Sequence, residues 1–324
     1  MSFFAIFLAL VLEQARPLSL GNPVYQAIER WTGWVARTLD AGQSHMAWVT
    51  WGMATLTPAL LALVVHALAN WGLGWVAAVL WNVALLYVTL GFRQFSHHFT
   101  AIRDALDEGD EHKARELLAR WQDVQVGEIA RSEIVRHVIE HSVLAAHRHV
   151  FGVFFWYAVL SVVGLGPAGA VFYRLSEYVA RRWQREQGAD GGVSTVLATV
   201  AQRAWAVLDW LPARSTALGF AIVGSFEDAM DGWRNHAQKF PEDNDGVILA
   251  ATAGAINVQL GGAGLGVSTA DQESAGTTTE TKGSSTPGLQ AQMGHLASVV
   301  GLVWRSVIMW LVLVALLTMA NLLG

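Results

Sequence analysis

"MAWVTWGMATLTPALLALVVHAL", residues 46–68, contains no Lys, Arg, Asp or Glu. As a helix rising 1.5 Å per residue it is about 34 Å long, enough to cross a hydrocarbon core of about 30 Å. Pro58 is expected to kink this helix, which is tolerated where a neighbouring helix covers the freed carbonyl. The turn "ANWG" at 69–72 leads into a second uncharged stretch, Gly72 to Phe92, so the two are expected to form a hairpin. Near the end, Ser298 to Leu323 reads as a further span, with Arg305 close enough to one end to snorkel.

The composition agrees. Of the 324 residues, 53% are hydrophobic and only 15% charged, against about 25% charged in an ordinary soluble domain. Charged residues are also segregated, as a bilayer requires. Several of the fifteen tryptophans, among them Trp48, Trp51, Trp71, Trp75, Trp156 and Trp304, lie in or beside the apolar blocks, and indole favours the membrane interface. A formal charge of -5 gives no reason to expect nucleic acid. The absence of cysteine excludes disulfides and thiolate chemistry.

The remaining segments take their roles from this frame. "MSFFAIFLALVL" at the start is too short to span and lacks the basic n-region of a signal peptide, so residues 1–45 read as an interfacial helix and a cytoplasmic segment. Residues 46–92 form the hairpin. Residues 93–149 carry mixed charge at helical spacing and read as a helical cytoplasmic block. Residues 150–260 hold re-entrant or spanning segments. "GLGP" at 164–167 interrupts the apolar run, and arginines on both sides of Val150–Tyr173 disfavour a simple crossing. "STALGFAIVGSF", 215–226, is too brief to cross alone. Residues 261–292, rich in Gly, Ser and Thr, read as a flexible loop, and 293–324 as the last transmembrane helix. The expected fold is an all-α polytopic integral membrane protein with about three to five membrane-embedded helical segments.

"HVIEH", 137–141, matches the H-x-x-E-H pattern of inverted zinc peptidases, and would set His137 and His141 on one helix face beside Glu140. A third ligand is unmarked, with neither Glu177 nor Glu227 distinguished from other carboxylates. The simpler reading is polar side chains at the membrane end of a helix. The pairs His97–His98 and His147–His149 carry the same simpler reading. No Walker loop and no G-x-S-x-G is present, and "LGGAGLG" at 260–266 lacks a following helix signal.

Several patches, in order, resemble the CobD/CbiB family of membrane proteins and the related AmpE proteins. They are "NPVYQAIERWTGW" from Asn22, "ALDEGDEHKAR" from Ala105, "SEIVRHVIEHSVLAAHRHVFGVFF" from Ser132, "GLGPAGAVFYR", "DWLPARST" and "FPEDNDGVILAATAGAINVQLGG". The resemblance covers most of the chain and implies a cobinamide-phosphate synthase, which joins an aminopropanol phosphate to a corrinoid carboxylate with ATP and Mg²⁺.

Departures from the family pattern bear on that activity. Glu140 matches the first Glu of the central motif, but the Glu-Asn pair falls on Leu144 and Ala145 and the Asp on Arg148. The Asn-Thr-Leu-Asp-Ser motif becomes "EYVAR", 177–181, whereas Pro212, Arg214, Gly261 and Gly262 are kept. Removing carboxylates removes hard ligands for Mg²⁺. The expectation is therefore an inner-membrane, multi-pass protein with an accessory or signalling role, as the likeness of "DWLPAR…FAIVGSFEDAMDGW" to AmpE implies. An active synthase, needing Mg²⁺ and ATP, is the alternative, and a zinc peptidase a second. Candidate ligand or former active-site residues are Glu140, His141, Arg148, Arg115, Arg174, Arg214, Gly261 and Gly262. The expected partners are the lipid bilayer and a membrane or cytoplasmic protein.

Overall fold

The computed structural model describes residues 2–16, 18, 22–122, 127, 129–188, 192–262 and 285–323. In chain order its helices are α1 (Ser2–Ala15), α2 (Pro23–Leu39), α3 (Ser44–Gly72), α4 (Trp75–Thr89), α5 (Phe92–Asp107), α6 (Glu111–Gln122) and α7 (Arg131–Ala146). After a π-helical turn, His147–Phe151, come α8 (Gly152–Val162), α9 (Pro167–Glu186), α10 (Thr195–Leu208), α11 (Trp210–Val223), α12 (Phe226–His236), α13 (Asp243–Ala255) and α14 (Met293–Leu323). Among the described residues the only strand-like pairings are two isolated bridges, Val258–Leu289 and Gly261–Ser285.

Three helical stretches are long and apolar enough to cross a membrane: Ser44–Gly72, Arg131–Val162 and Met293–Ala320. A fourth arises if α10 and α11, bent by 45° at Asp209, count as one. Helix α4 falls short of the span expected from Gly72 to Phe92. Its 15 residues extend about 22 Å. The backbone leaves the helix at Leu90, and the turn before it lies at Leu73–Gly74 instead of 69–72, because Gly74 supplies the φ of 87° at which the chain reverses. The segment 215–226 is not separate either: α11 starts at Trp210, directly after α10.

The chain divides into two compact units. Unit 1 comprises residues 1–92, 148–212 and 310–324. Within it α9 packs against α3, α4, α8 and α10, and α1 buries Ala5, Ile6, Ala9 and Leu10 with α4 as its main neighbour. Asn22 starts α2 by accepting from the Val24 and Tyr25 N–H groups, with Pro23 at the first helical position. Two prolines show how the unit tolerates helix-breaking residues. Pro58 cannot donate to the Ala54 carbonyl, and Trp31 Nε1 donates there instead at 3.2 Å, so α3 continues unbroken. Pro212 likewise cannot serve the Leu208 carbonyl, which takes the Trp156 Nε1–H at 3.3 Å. Glycines let α8 and α9 approach closely: a Cβ on Gly169 would lie 2.3 Å from the Trp156 carbonyl oxygen.

Unit 2 comprises residues 93–147 and 213–309. Here α12 and α13 form a tight pair in which a Cβ on Gly254 would lie 2.0 Å from the Asp228 carbonyl oxygen. Of the flexible loop expected over 261–292, residues 263–284 lie outside the described residues. The rest is pinned: Thr286 N donates to Leu260 O at 2.7 Å, and Gln259 N to Leu289 O at 2.8 Å. Exposed pairs such as Arg103–Asp104 and Lys113–Glu108 contribute about 0–1 kcal/mol each.

Candidate functional site

Helix α7 places Glu133, Arg136 and Glu140 at i, i+3 and i+7, on one face. The Arg136 side chain is 5% exposed and joins both carboxylates: Nη2 reaches Glu133 at 2.6 Å and Nη1 reaches Glu140 at 3.0 Å. Glu140 Oε1 also accepts the Gly261 N–H at 2.7 Å. That amide can turn toward α7 because Gly261 and Gly262 adopt φ of 84° and 106°, a region in which side chains are strained. Thr286 fixes the same segment, its Oγ1 accepting from Leu260 N at 2.9 Å. Gln290 Nε2 donates to Ser132 Oγ at 3.0 Å, tying the segment after the bridges to the start of α7.

Glu133, Arg136, Gly261 and Gly262 line a cavity of about 290 Å³, with Ser132, Gln259, Ser285 and Gln290 adding neutral polar atoms. Glu140 is not part of this lining, so the cavity presents one guanidinium, Arg136, and one carboxylate, Glu133, which balance. A smaller cavity of about 160 Å³ in the same unit is lined by Asp228, Asp231, His236 and Asn257, the last held at φ 51°.

Of the candidates of unit 2 only Gly261 and Gly262 line the larger cavity; Glu140 and the others lie outside its lining. His137 Nε2 lies 2.9 Å from an Arg136 guanidinium nitrogen, and His141 stands edge-on to Trp121 with ring centroids 4.4 Å apart. Among the described residues no three of His, Asp and Glu converge as metal ligands. The His137-x-x-Glu140-His141 spacing therefore serves an ion-pair face and an aromatic contact. Arg214 donates to Asn244 Oδ1 at 3.1 Å, and Arg115 is half-buried on α6.

Arg148 and Arg174 belong to unit 1, where they join residues that spacing alone did not single out. Arg174 and Arg181 both bind Glu177 at 2.7 Å, so α9 repeats the i, i+3, i+7 spacing of α7 with the charges exchanged. Burial raises the Glu177 carboxyl, but Arg174, Arg181, His149 and Arg148 outweigh it and bring it down to about 2. Tyr173, fully buried, donates to Asp209 Oδ1 at 2.8 Å. The sequence reading missed Glu133, Arg136, Glu177 and Arg181; charges of alternating sign three and four residues apart on one helix face are the signal that could have found them. The Gly261 contact with Glu140, across 121 residues of sequence, left no such signal.

Comparison with known proteins bears directly on this arrangement. Residues 3–290 match the family model described as CobD/Cbib protein. A cobalamin biosynthesis protein CobD of Chromobacterium violaceum is 32% identical over 216 residues, covering 65% of this chain and 66% of that protein. One of the same name from Stutzerimonas stutzeri is 30% identical over 215 residues, covering 66% of each. A third, from Leptospira interrogans, is 27% identical over 207 residues and 60% of each. The matched region thus spans just under two thirds of the first two relatives' length. No solved structure matches the chain. With the family model running from α1 past both bridges and through every element of the two sites, the chain belongs to the CobD/CbiB family.

Proposed function

We propose that this chain is a multi-pass protein of the bacterial inner membrane that acts in cobalamin biosynthesis, as an amide-forming ligase of the synthase type that its family resemblance implies. The name shared by its relatives supports the pathway, and the long apolar helices support the location. The observation that carries the reaction class is the cavity beside Arg136. Glu133, with a side chain 41% exposed, is the carboxylate of its lining that the ammonium of an amine-bearing substrate would meet. Arg136 and the Gly261 N–H hold Glu140 in place behind it.

The Mg²⁺ that this chemistry implies does not fit the cavity as built. Both carboxylates already lie within 3.2 Å of Arg136 nitrogens, and a divalent ion would have to displace that guanidinium. This cavity therefore suits the amine side of the reaction and not a metal.

Complementation of a strain lacking the synthase tests the reading. The wild-type gene is expected to restore growth that depends on cobinamide conversion, and Glu140→Ala to abolish it. A wild-type protein present in the membrane that fails to complement would sink the proposal. A second reading, an AmpE-like accessory or regulatory protein, is favoured by Leu144, Ala145 and Arg148 standing where the family resemblance sets Glu, Asn and Asp. It predicts no complementation, and no amide product from purified protein supplied with ATP and Mg²⁺.

A further inference from the structure

Helix α2 crosses the ends of its neighbours in unit 1. Tyr25 Oη donates to Val88 O in the last turn of α4, Trp31 Nε1 donates to Ala54 O, and Leu39 O accepts from Thr50 Oγ1. From Trp31 to Leu39, about 12 Å of α2, the partner on α3 moves only from Ala54 to Thr50, about 6 Å, so α2 runs steeply across α3 and not along it. Its outer face is polar, with Gln26, Glu29 and Arg30 exposed, and Glu29 pairs with Arg182 at 3.3 Å. Asp40, just past its end, accepts from Ser194 N and Oγ, both at 2.7 Å. Helix α2 therefore marks one polar rim of the unit. At the other end Trp71 and Trp75, 89% and 59% exposed, flank the Leu73–Gly74 turn, and indole favours the interface.

The apolar layer between these rims is thin. From Ala54 to Trp71 α3 rises about 26 Å, and from Val88 to Trp75 α4 rises about 20 Å. The Arg16 carbonyl accepts from Tyr87 Oη, so α1 ends at the α2 rim beside α4, and it is about 21 Å long. All three helices expose large apolar side chains between the rims: Leu60 on α3, Leu80 on α4, Phe4 on α1. An ordinary hydrocarbon core is about 30 Å thick. A helix that is too long can tilt, whereas tilting α1 or α4 would shorten their reach further.

We infer that unit 1 fits a hydrocarbon layer of about 20–26 Å, so that its α1–α4 face gathers phospholipids with short acyl chains and thins a bilayer of longer ones. Chains of ordinary length would have to cover Glu29, Arg182 and Asp40 with hydrocarbon, where charge is costly. The inference rests on the membrane location and holds whether or not the chain forms amides.

Full-length protein in phosphatidylcholine vesicles provides the test, with its tryptophan fluorescence quenched by brominated dioleoyl lipid. Unbrominated dimyristoleoyl, dioleoyl or dierucoyl lipid is mixed in, and relief of quenching reads the relative affinity of the lipid-facing surface for each. The dimyristoleoyl lipid is expected to bind about threefold more tightly than the dioleoyl lipid, and the dierucoyl lipid more weakly than either. Gln26→Leu/Glu29→Leu/Arg30→Leu makes the exposed face of α2 apolar, raising the rim by up to one helix diameter of about 10 Å, and should move the preference to the dioleoyl lipid. Equal affinity for the three lipids, or a wild-type preference for the dioleoyl or dierucoyl lipid, overturns the inference. A triple variant that keeps its helical circular dichroism and the wild-type preference overturns it too. Should that variant fail to insert, the wild-type series decides alone.

Discussion

Replacing Arg136 by Met tests whether the α7 ion-pair face is a stabilised unit. Removing the guanidinium leaves Glu140, whose side chain is 15% exposed, with the Gly261 N–H and a His137 ring nitrogen 3.5 Å away. Breaking a buried pair by deleting one partner costs about 3–5 kcal/mol. Glu133, being 41% exposed, can rehydrate, so its lost pair adds about 1 kcal/mol or less. Glu140→Gln alone keeps an acceptor for Gly261 and leaves Arg136 paired with Glu133. The double variant Arg136→Met/Glu140→Gln has no buried charge to strand, so it should recover about 2 kcal/mol relative to the sum of the singles. Unfolding of purified protein in mixed micelles, followed by helical circular dichroism as the denaturing detergent fraction rises, measures all four corners of the cycle. A coupling below about 0.5 kcal/mol would refute the reasoning, because Glu140 would then be solvated without Arg136.

Three further outcomes follow from the geometry. Glu177 is depressed from 4.5 to about 2, which at about 1.36 kcal/mol per pH unit is worth about 3 kcal/mol. This contribution is complete above pH 4.5 and is lost as pH falls toward 2. Stability measured across that window should drop for wild type and stay nearly flat for Glu177→Gln. Gly254→Ala forces a Cβ against the Asp228 carbonyl and should cost about 3 kcal/mol or more, whereas Gly301→Ala, with open space around it, should gain up to about 1 kcal/mol; thermal melts rank the two. Arg148→Asp should fail to accumulate in the membrane, and adding Glu177→Asn should restore it, as read by immunoblot of membrane fractions.

What the sequence revealed of the fold was governed by charge. The run 46–68 named α3 outright, because a helix without charges over that length has few alternatives to a bilayer. The expected split at 149/150 falls inside a helical stretch that runs from Arg131 to Val162, next to the division of the two compact units between His147 and Arg148. The hairpin turn slipped because α3 continues through Gly72, and only the positive φ of Gly74 ends it. In the candidate site Glu140 was legible from the spacing of His137-x-x-Glu140-His141, whereas Glu133 and Arg136 were not singled out. The Gly261 amide, and the tryptophans covering the Ala54 and Leu208 carbonyls, depend on long-range packing that no local pattern encodes.

The departures at 148 and 177 make most sense as one change. Where the resemblance sets Asp and Asn, this chain has Arg148 and Glu177, both buried in unit 1 and acting on each other's field. Arg148 alone would join Arg174 and Arg181 with only Asp209 to offset three cations, leaving two unbalanced charges in a poorly solvated place. Glu177 alone would join Asp209 and any aspartate at 148 as three carboxylates around Tyr173, with two arginines to offset them. The first intermediate strands two charges, at a cost of several kcal/mol, a large share of a protein's total stability, whereas the second leaves an imbalance of one. Together the two changes take these residues from two carboxylates and two guanidiniums to two carboxylates and three guanidiniums.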